Sequence, residues 1–322
     1  MTTSSLPHLE GPVCPMPLNH GDQIVMSHGS GGQMSQQLIT NVFQSRLTSE
    51  ALAANNDFGS VAFPNVSQLK GRVVVSTDSH IVAPLVFPGG DIGKLAVCGT
   101  VNDVSMSGAV PLYLTAGFIL EEGLPIRLLE RFVDSMRDAA QEAGVQFVAG
   151  DTKVVEKGKA DGIFINTTGI GWLPENVHIG GECAQSGDVV LVSGTLGDHG
   201  IAVLSARGEL GFETEVQSDT APLNGLIQAV LQAAPHTHVL RDPTRGGLAT
   251  TLNEIAVQSK VAIQLDETAI PVNPVVRSAC EFLGFDPLYI ANEGKVIVIV
   301  PPNEAEAALN AMRCNHYGQI AA

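Results

Sequence analysis

Short apolar runs alternate with helical periodicities along most of this chain, and that alternation restricts its fold more than any other feature. "RVVVSTD" (72–78) is an apolar run with a polar tip, the pattern of a buried strand. Lys94 to Ser107 repeats Leu95, Cys98, Val101 and Ser105 at helical spacing, and "PLYLTAGFIL" reads as a strand again. The most regular helix runs from Pro125 to Ala143. Ile126, Leu129, Phe132, Val133, Met136 and Ala140 line one of its faces, and Gly144 stands as its C-terminal stop. "VQFVAGDT" and "GIFINTTGIG" follow as strands, and an earlier helix is expected over Gln33 to Leu47. After "GWLPENVHIGGECAQSGD" the pattern restarts with the strand "VVLVSGTLGDHG". Helices are then expected near 221–234, 246–259, 274–283 and 303–313, with strands at "VAIQLDE" and "KVIVIVP". The expectation is a mixed α/β (α+β) chain in two halves. An irregular tail (1–22) precedes a first domain (23–175) and a second (176–322).

The chain has 322 residues, 44% hydrophobic and 16% charged, enough apolar material for packed cores. Its 17 basic and 33 acidic residues leave a net charge of -16, which argues against nucleic acid or an anionic membrane as partner. A phosphate ligand would need cations to mediate its contact with such a surface. Five cysteines are scattered without a CxxC pair or Cys/His cluster, as expected of reduced thiols rather than a zinc site. The N-terminus lacks the basic and apolar regions of a signal peptide. The longest uncharged stretch, between Asp103 and Glu121, contains Gly108, Pro111 and Gly117 and does not read as a membrane span. A soluble, cytoplasmic protein is expected.

Four acidic residues carry the chemistry. Asp78 and Asp151 are read at strand tips, Asp103 beside an Asn-Asp turn, and Asp57 in "NNDFGSV". Converging carboxylates repel one another unless cations lie between them, and hard oxygen ligands suit Mg²⁺ held jointly with substrate phosphates. Any one of them alone could be a turn residue or helix cap. A glycine-rich stretch, "SHGSGGQ", precedes the first helix. Ser30, Gly31 and Gly32 could offer backbone N–H groups to phosphate, although neither GxxxxGK[ST] nor GxGxxG is present.

Six segments occur in order: "STDSHIVAP", "FPGGDIGKLAVCGTVNDVSMSGA", "VAGDTKVV", "VSGTLGDHG", "RDPTRGGL" and "ANEGKV". Together they resemble the HypE hydrogenase maturation factors, within the superfamily of aminoimidazole ribonucleotide synthetase and selenophosphate synthetase. The resemblance runs from about residue 23 to the end. It implies a two-domain PurM-like fold. The first domain would pair with its copy in a homodimer, forming a shared β-barrel, and would hold ATP in a cleft. The family's metal positions fall on Asp78, Asp103 and Asp151, and on Asp57, where Asn56-Asp57 replaces a paired carboxylate. The loop of Ser30, Gly31 and Gly32 would close over phosphates. Thr77, Asn102 and Gly150 join Asp78, Asp103 and Asp151 as nucleotide contacts.

The family uses ATP to dehydrate a carboxamide carried on the thiol of its own C-terminal cysteine. The product is a thiocyanate, which supplies cyanide to the iron of nickel–iron hydrogenase. Lys153 would reach phosphate or amide, unless it is a plain surface lysine. Glu293 is the candidate base or orienting group. Arg241, Asp242 and Arg245 would hold the incoming tail, although Arg245 could instead cap a neighbouring element. His199 is either a turn residue or a tail contact. The implied partners are a second copy, the carbamoyltransferase HypF and the HypC–HypD complex. The family's Pro-Arg-x-Cys ending is absent from "MRCNHYGQIAA", so the expectation is either that the native protein continues beyond this point or that it lacks its own acceptor thiol. Two other readings are weighed. One is another ATP-dependent synthetase of the superfamily; the selenophosphate branch would want a reactive cysteine and a lysine that 27–37 do not contain. The other is a maturation scaffold without turnover.

Overall fold

A computed structural model of the chain describes residues 22–54, 59–63, 70–208 and 214–322. The first half carries α1 (Gly32–Leu38), α2 (Glu50–Ala53), β1 (Gly71–His80), β2 (Val86–Phe87), β3 (Gly90–Asp91), α3 (Ile92–Met106), β4 (Val110–Glu121), α4 (Ile126–Ala143), β5 (Gln146–Val155) and β6 (Ile163–Pro174). The second carries β7 (Val189–Val192), α5 (Asp198–Ala206), α6 (Asn224–Ala233), β8 (Val239–Arg241), α7 (Gly247–Ser259), α8 (Pro274–Leu283), β9 (Ile297–Val300) and α9 (Ala305–Cys314). No described helix is long and apolar enough to cross a membrane.

The first sheet has the order β1-β6-β4-β5, with β4 and β5 parallel and the other pairs antiparallel. Its strands alternate because one face is covered and the other is not. On β6, Ile163, Ile165, Thr167, Gly169, Gly171 and Leu173 are buried, while the residues between them are not. The register carries that parity across the sheet. Asp78 lies opposite Thr167 and Thr77 opposite Thr168, so they point to opposite faces. The covered face packs on α3 and α4. The open face presents Val73 and Val75, 50% and 60% exposed.

The helix α3 is buried almost all round, because the sheet, α4 and the second half each take a side. Asp91 caps it, its Oδ1 accepting from the N–H groups of Gly93 (3.0 Å) and Lys94 (3.1 Å). The other oxygen of Asp91 accepts from Ser135 Oγ at 2.6 Å, which fixes α3 against α4. Helix α4 matches the periodicity read from the sequence, and Gly144 ends it in the left-handed region (φ 70°). In the second half the sheet order is β7-β9-β8. Central β9, "IVIV", is buried throughout, as an unbroken apolar run requires. Helices α6 and α9 share one of its cores and α7 belongs to another.

Four expectations are corrected. The helix expected over Gln33 to Leu47 breaks into α1 and a π-helical turn at Ile39–Gln44. "VVLVSGTLGDHG" is a strand only to Val192. Gly197 (φ 84°) turns the chain, and helix α5 follows. "VAIQLDE" forms no strand, because a cavity of about 620 Å³ separates it from the edge of β7 and no ladder partner reaches it. Finally, Asp78 and Asp151 sit within strands and Asp103 within α3, not at turns or strand tips.

A Cβ on Gly93 would lie 2.2 Å from the carbonyl oxygen of Phe132, so α3 and α4 approach as closely as a bare backbone allows. Gly93→Ala should destabilise the fold by about 2 kcal/mol through the forced separation of the two helices, read as a lower urea midpoint at unchanged slope.

Candidate functional site

A cavity of about 650 Å³ opens between the halves, where Ser76, Asp103 and Met106 of the first face Arg241, Asp242, Arg245 and Glu254 of the second. Strand β1 places Ser76, Asp78 and His80 on the covered face, toward α3. Ser76 Oγ donates to Asp103 Oδ2 at 3.0 Å, which joins the strand to the helix at the site. Behind Asp78 lies a buried polar chain. His80 Nε2 is 3.7 Å from Asp78 Oδ2 and 3.2 Å from Thr167 Oγ1. The Thr167 hydroxyl contacts that of Thr100 (2.6 Å) and donates to the Ala96 carbonyl (2.9 Å). Gly99 faces this chain, and a Cβ there would stand 3.0 Å from His80 Cε1.

From the second half, Arg241 Nη2 donates to Glu254 at 2.7 Å and stays beside Asp242. Asn292 fastens the segment before Glu293: its Oδ1 accepts from Gly197 N at 2.8 Å and its amide donates to the Pro243 carbonyl at 2.9 Å.

The carboxylates are crowded. Burial first, then the charge of Asp242, pushes Asp103 up to about 7, and Asp78 adds to the effect. Burial likewise raises Asp242, with Asp78 contributing. Burial raises Glu293 well above its ordinary range, and Asp219, Asp242, Asp78 and Asp103 act in the same direction. A site this negative holds its protons unless a cation enters, and its oxygen donors suit Mg²⁺. No group of three or more His, Cys, Asp or Glu with metal-binding geometry exists among the described residues. Asp78 and Asp103 are the carboxylates here that could offer oxygen to a cation.

The expected residues are thus divided. Asp78, Asp103, Asp242 and Glu293 act electrostatically on one another, and Arg241 and Arg245 line the same cavity. Asp151 does not join them. It pairs with Gly117 in the row of Asn166 and Ser79, on the open face, and Lys153 shares that face two residues on. Thr77 is there too, its hydroxyl accepting from Thr168 Oγ1 at 3.0 Å. Gly150 and Gly31 border a separate cavity of about 640 Å³ beneath α1. Ser30, Gly31 and Gly32 are exposed, with Gly31 and Gly32 at φ 82° and 81°. Asp57 lies outside the described residues.

Two expectations change. Asn102 is 2% exposed, and all its side-chain bonds go to protein: it donates to the carbonyls of Ala221 (3.0 Å) and Glu293 (3.3 Å) and accepts from Leu223 N (2.8 Å). It ties the halves together and has no group left for a nucleotide. His199 does not line the cavity of Arg241, Asp242 and Arg245. It is buried, bonded to Ser218 Oγ at 2.8 Å and edge-on to Phe87. The sequence reading missed Asp219 and Lys295, buried partners at 3.0 Å, and His80. Two of them stood inside quoted segments: Lys295 in "ANEGKV" and His80 in "STDSHIVAP".

The raised Asp103 sets a testable stability profile. Unfolded, this carboxyl titrates at about 3.9, so between about pH 4 and 7 the folded chain holds a proton the unfolded chain has released. Its contribution to stability therefore falls as pH rises through that window. Asp103→Asn should reduce the loss of stability between pH 5 and 7 by on the order of 1 kcal/mol, measured from urea midpoints without added metal.

The residue chemistry meets known proteins here. The family model for "AIR synthase related protein, N-terminal domain" matches residues 61–173, and that for its C-terminal domain matches 185–321. The carbamoyl dehydratase HypE of Azotobacter vinelandii is 56% identical over 299 residues, 93% of this chain and 86% of that one. The carbamoyl dehydratase HypE of Escherichia coli (strain K12) is 48% identical over 301 residues, 94% of this chain and 89% of that one. A crystal structure of a hydrogenase maturation protein HypE in complex with ATP superposes with a TM-score of 0.87 at 52% identity, covering 92% of this chain and 87% of that one. A HypE–HypF complex gives 0.76 at 54% identity, covering 88% and 90%.

Proposed function

Because the chain belongs to the HypE family of carbamoyl dehydratases, we propose that it uses ATP to dehydrate a carboxamide borne on a cysteine thiol, supplying cyanide for hydrogenase maturation. The observation that carries this reading is the interdomain cavity, which faces Asp103 of the first half with Asp242 and the nearby Glu293 of the second.

An amide oxygen is a poor leaving group. Its attack on the γ-phosphorus of ATP releases ADP and turns it into a phosphate ester, which leaves readily. Loss of the nitrogen's protons and departure of phosphate with the former amide oxygen then give the thiocyanate. Glu293 is the base. A carboxylate raised by burial and like charge takes a proton more readily than an ordinary one once it is ionised. Arg241 and Arg245 steer the carbamoyl-bearing segment into the cavity. Asp78 and Asp103 would hold Mg²⁺, which when bound would offset negative charge on the phosphates. Gly31 and Gly150 border the separate cavity beneath α1, and the loop of Ser30, Gly31 and Gly32 would close over the phosphates.

Two copies pair through the open face of the first sheet. Val73 and Val75 on β1 and Ile119 (43% exposed) on β4 lie on it, beside Thr77, Asp151 and Lys153. An apolar sheet face left in water is a liability that pairing removes. The solved HypE–HypF complex supports HypF as a partner, and the HypC–HypD complex is proposed as acceptor of the cyanide.

Asp103→Asn should weaken Mg²⁺-dependent ATP affinity by at least about tenfold in calorimetry while the circular dichroism spectrum stays unchanged, since one anionic ligand is lost at constant shape. Unchanged affinity in the folded variant would remove Asp103 from the metal site. Val75→Glu should convert a dimer to a monomer in light scattering at micromolar concentration, because the charge cannot be buried across the paired face.

A further inference from the structure

Glu293 is held by its own backbone from two directions. Its peptide N–H donates to Asp219 Oδ1 at 3.0 Å. Its carbonyl accepts from Asn102 Nδ2 at 3.3 Å. The two clamping side chains come from different places. Asp219 stands in the loop before α6, and Asn102 comes from the interior of α3 in the other half. Each is immobilised in turn. Asp219 Oδ2 pairs with Lys295 Nζ at 3.0 Å, with both side chains nearly excluded from solvent at 5% and 10% exposure. Asn102 uses its remaining capacity on Ala221 and Leu223, in the same loop as Asp219. The next residue closes the arrangement: a Cβ on Gly294 would sit 1.8 Å from the Asp219 carbonyl oxygen, so only glycine lets this segment seat against that loop.

We infer that Asp219 and Asn102 are positioning residues for Glu293, fixing where its carboxylate stands beside Asp242, Asp78 and Asp103 and tying that position to α3 of the first half. The inference rests on the reading of Glu293 as the base. The geometry favours positioning over general support. An ion pair that served stability alone could join any two elements, whereas here both backbone polar groups of one residue are taken, and that residue is the base. Asn102 also directly precedes Asp103, so one turn of α3 holds a metal-side carboxylate and the clamp on the base. A proton acceptor displaced by about 1 Å loses on the order of 10²-fold in rate, which is the effect such a clamp prevents.

The test uses the full chain with MgATP and a peptide carrying an S-carbamoylated cysteine, following ADP release and the thiocyanate peptide by mass. Asp219→Ala removes the acceptor for Glu293 N–H. It should lower kcat on the order of 10²-fold, with KM for ATP unchanged within about twofold. Asp219→Asn keeps an oxygen for the Glu293 N–H but turns its NH2 toward the Lys295 ammonium, so it is made together with Lys295→Met. It should stay within about threefold of the parent, the rescue a positioning role requires. The double variant Asp219→Ala with Lys295→Met leaves no unpaired buried ammonium and should match Asp219→Ala, which keeps the test decisive if the single variant does not fold. Glu293→Gln is run beside them. The inference is overturned if Asp219→Asn with Lys295→Met falls as far as Asp219→Ala with Lys295→Met, since the ion pair would then be what matters. It is also overturned if the alanine variants keep full kcat while Glu293→Gln loses it. Full turnover by Glu293→Gln would instead remove Glu293 as the base, a result distinct from either.

Discussion

Among the contacts between the two halves is one buried amide, Asn102. Asn102 makes three hydrogen bonds to the second half, and no water reaches it to replace any of them. Leaving any of these buried groups unpaired would cost about 1–3 kcal/mol, so the relative placement of the halves is strongly determined at this point. Everything the interdomain cavity does depends on that placement, because neither half contains a complete site. The first supplies Ser76 and Asp103, and the second supplies Arg241, Asp242 and Arg245. An aspartate at 102 would be nearly the same size, yet would turn an oxygen toward two carbonyls. The residue type, and not only its volume, is what the junction requires.

The second constraint is electrostatic. Burying several carboxylates around one cavity costs more than their own hydrogen bonds return, and the raised Asp103, Asp242 and Glu293 record that cost. The neighbouring Asp219 has a close lysine partner, Lys295. The chain is acidic overall as well, so no general positive field relieves the cavity. A protein that keeps such a cluster either carries its protons or recruits a cation, and under the proposed function a magnesium-bound nucleotide would supply the second answer together with a substrate. Arg241 is held back by Glu254, so its charge remains at the cavity wall.

Much of the fold was legible because its signals were local. The amphipathic repeat of α4 and the unbroken apolar run of β9 needed no tertiary information. "VAIQLDE" failed for the opposite reason. It has strand composition, but strand formation depends on a partner edge that the sequence cannot display. Helix α5 was hidden behind Gly197, which looked like part of a continuing strand end. The site divides the same way. Asp78, Asp103, Asp242 and Glu293 were legible as members of ordered motifs that resemble a known family. Asp219 was not, because its role arises from contact with Glu293, 74 positions away. Asn102 was visible as a special residue but assigned outward to a nucleotide. Only its burial shows that it faces inward.

The parity of β1 separates two tasks along consecutive residues. Ser76, Asp78 and His80 point to α3, while Val75, Thr77 and Ser79 point away from it. The proposed pairing face and the metal-binding corner are therefore the two sides of one strand, about one pleat apart. A shift of β1 by a single residue against β6 would exchange them, placing valines in the polar site and carboxylates on the apolar face. The buried chain from His80 through Thr167 to Thr100 and the Ala96 carbonyl prevents that slip, because no other register of β1 brings the imidazole to Thr167. His80 thus acts as a register pin as well as a neighbour of Asp78. Burial lowers its pKa against the opposing pull of the Asp78 carboxylate, which favours the neutral ring for a structural hydrogen bond.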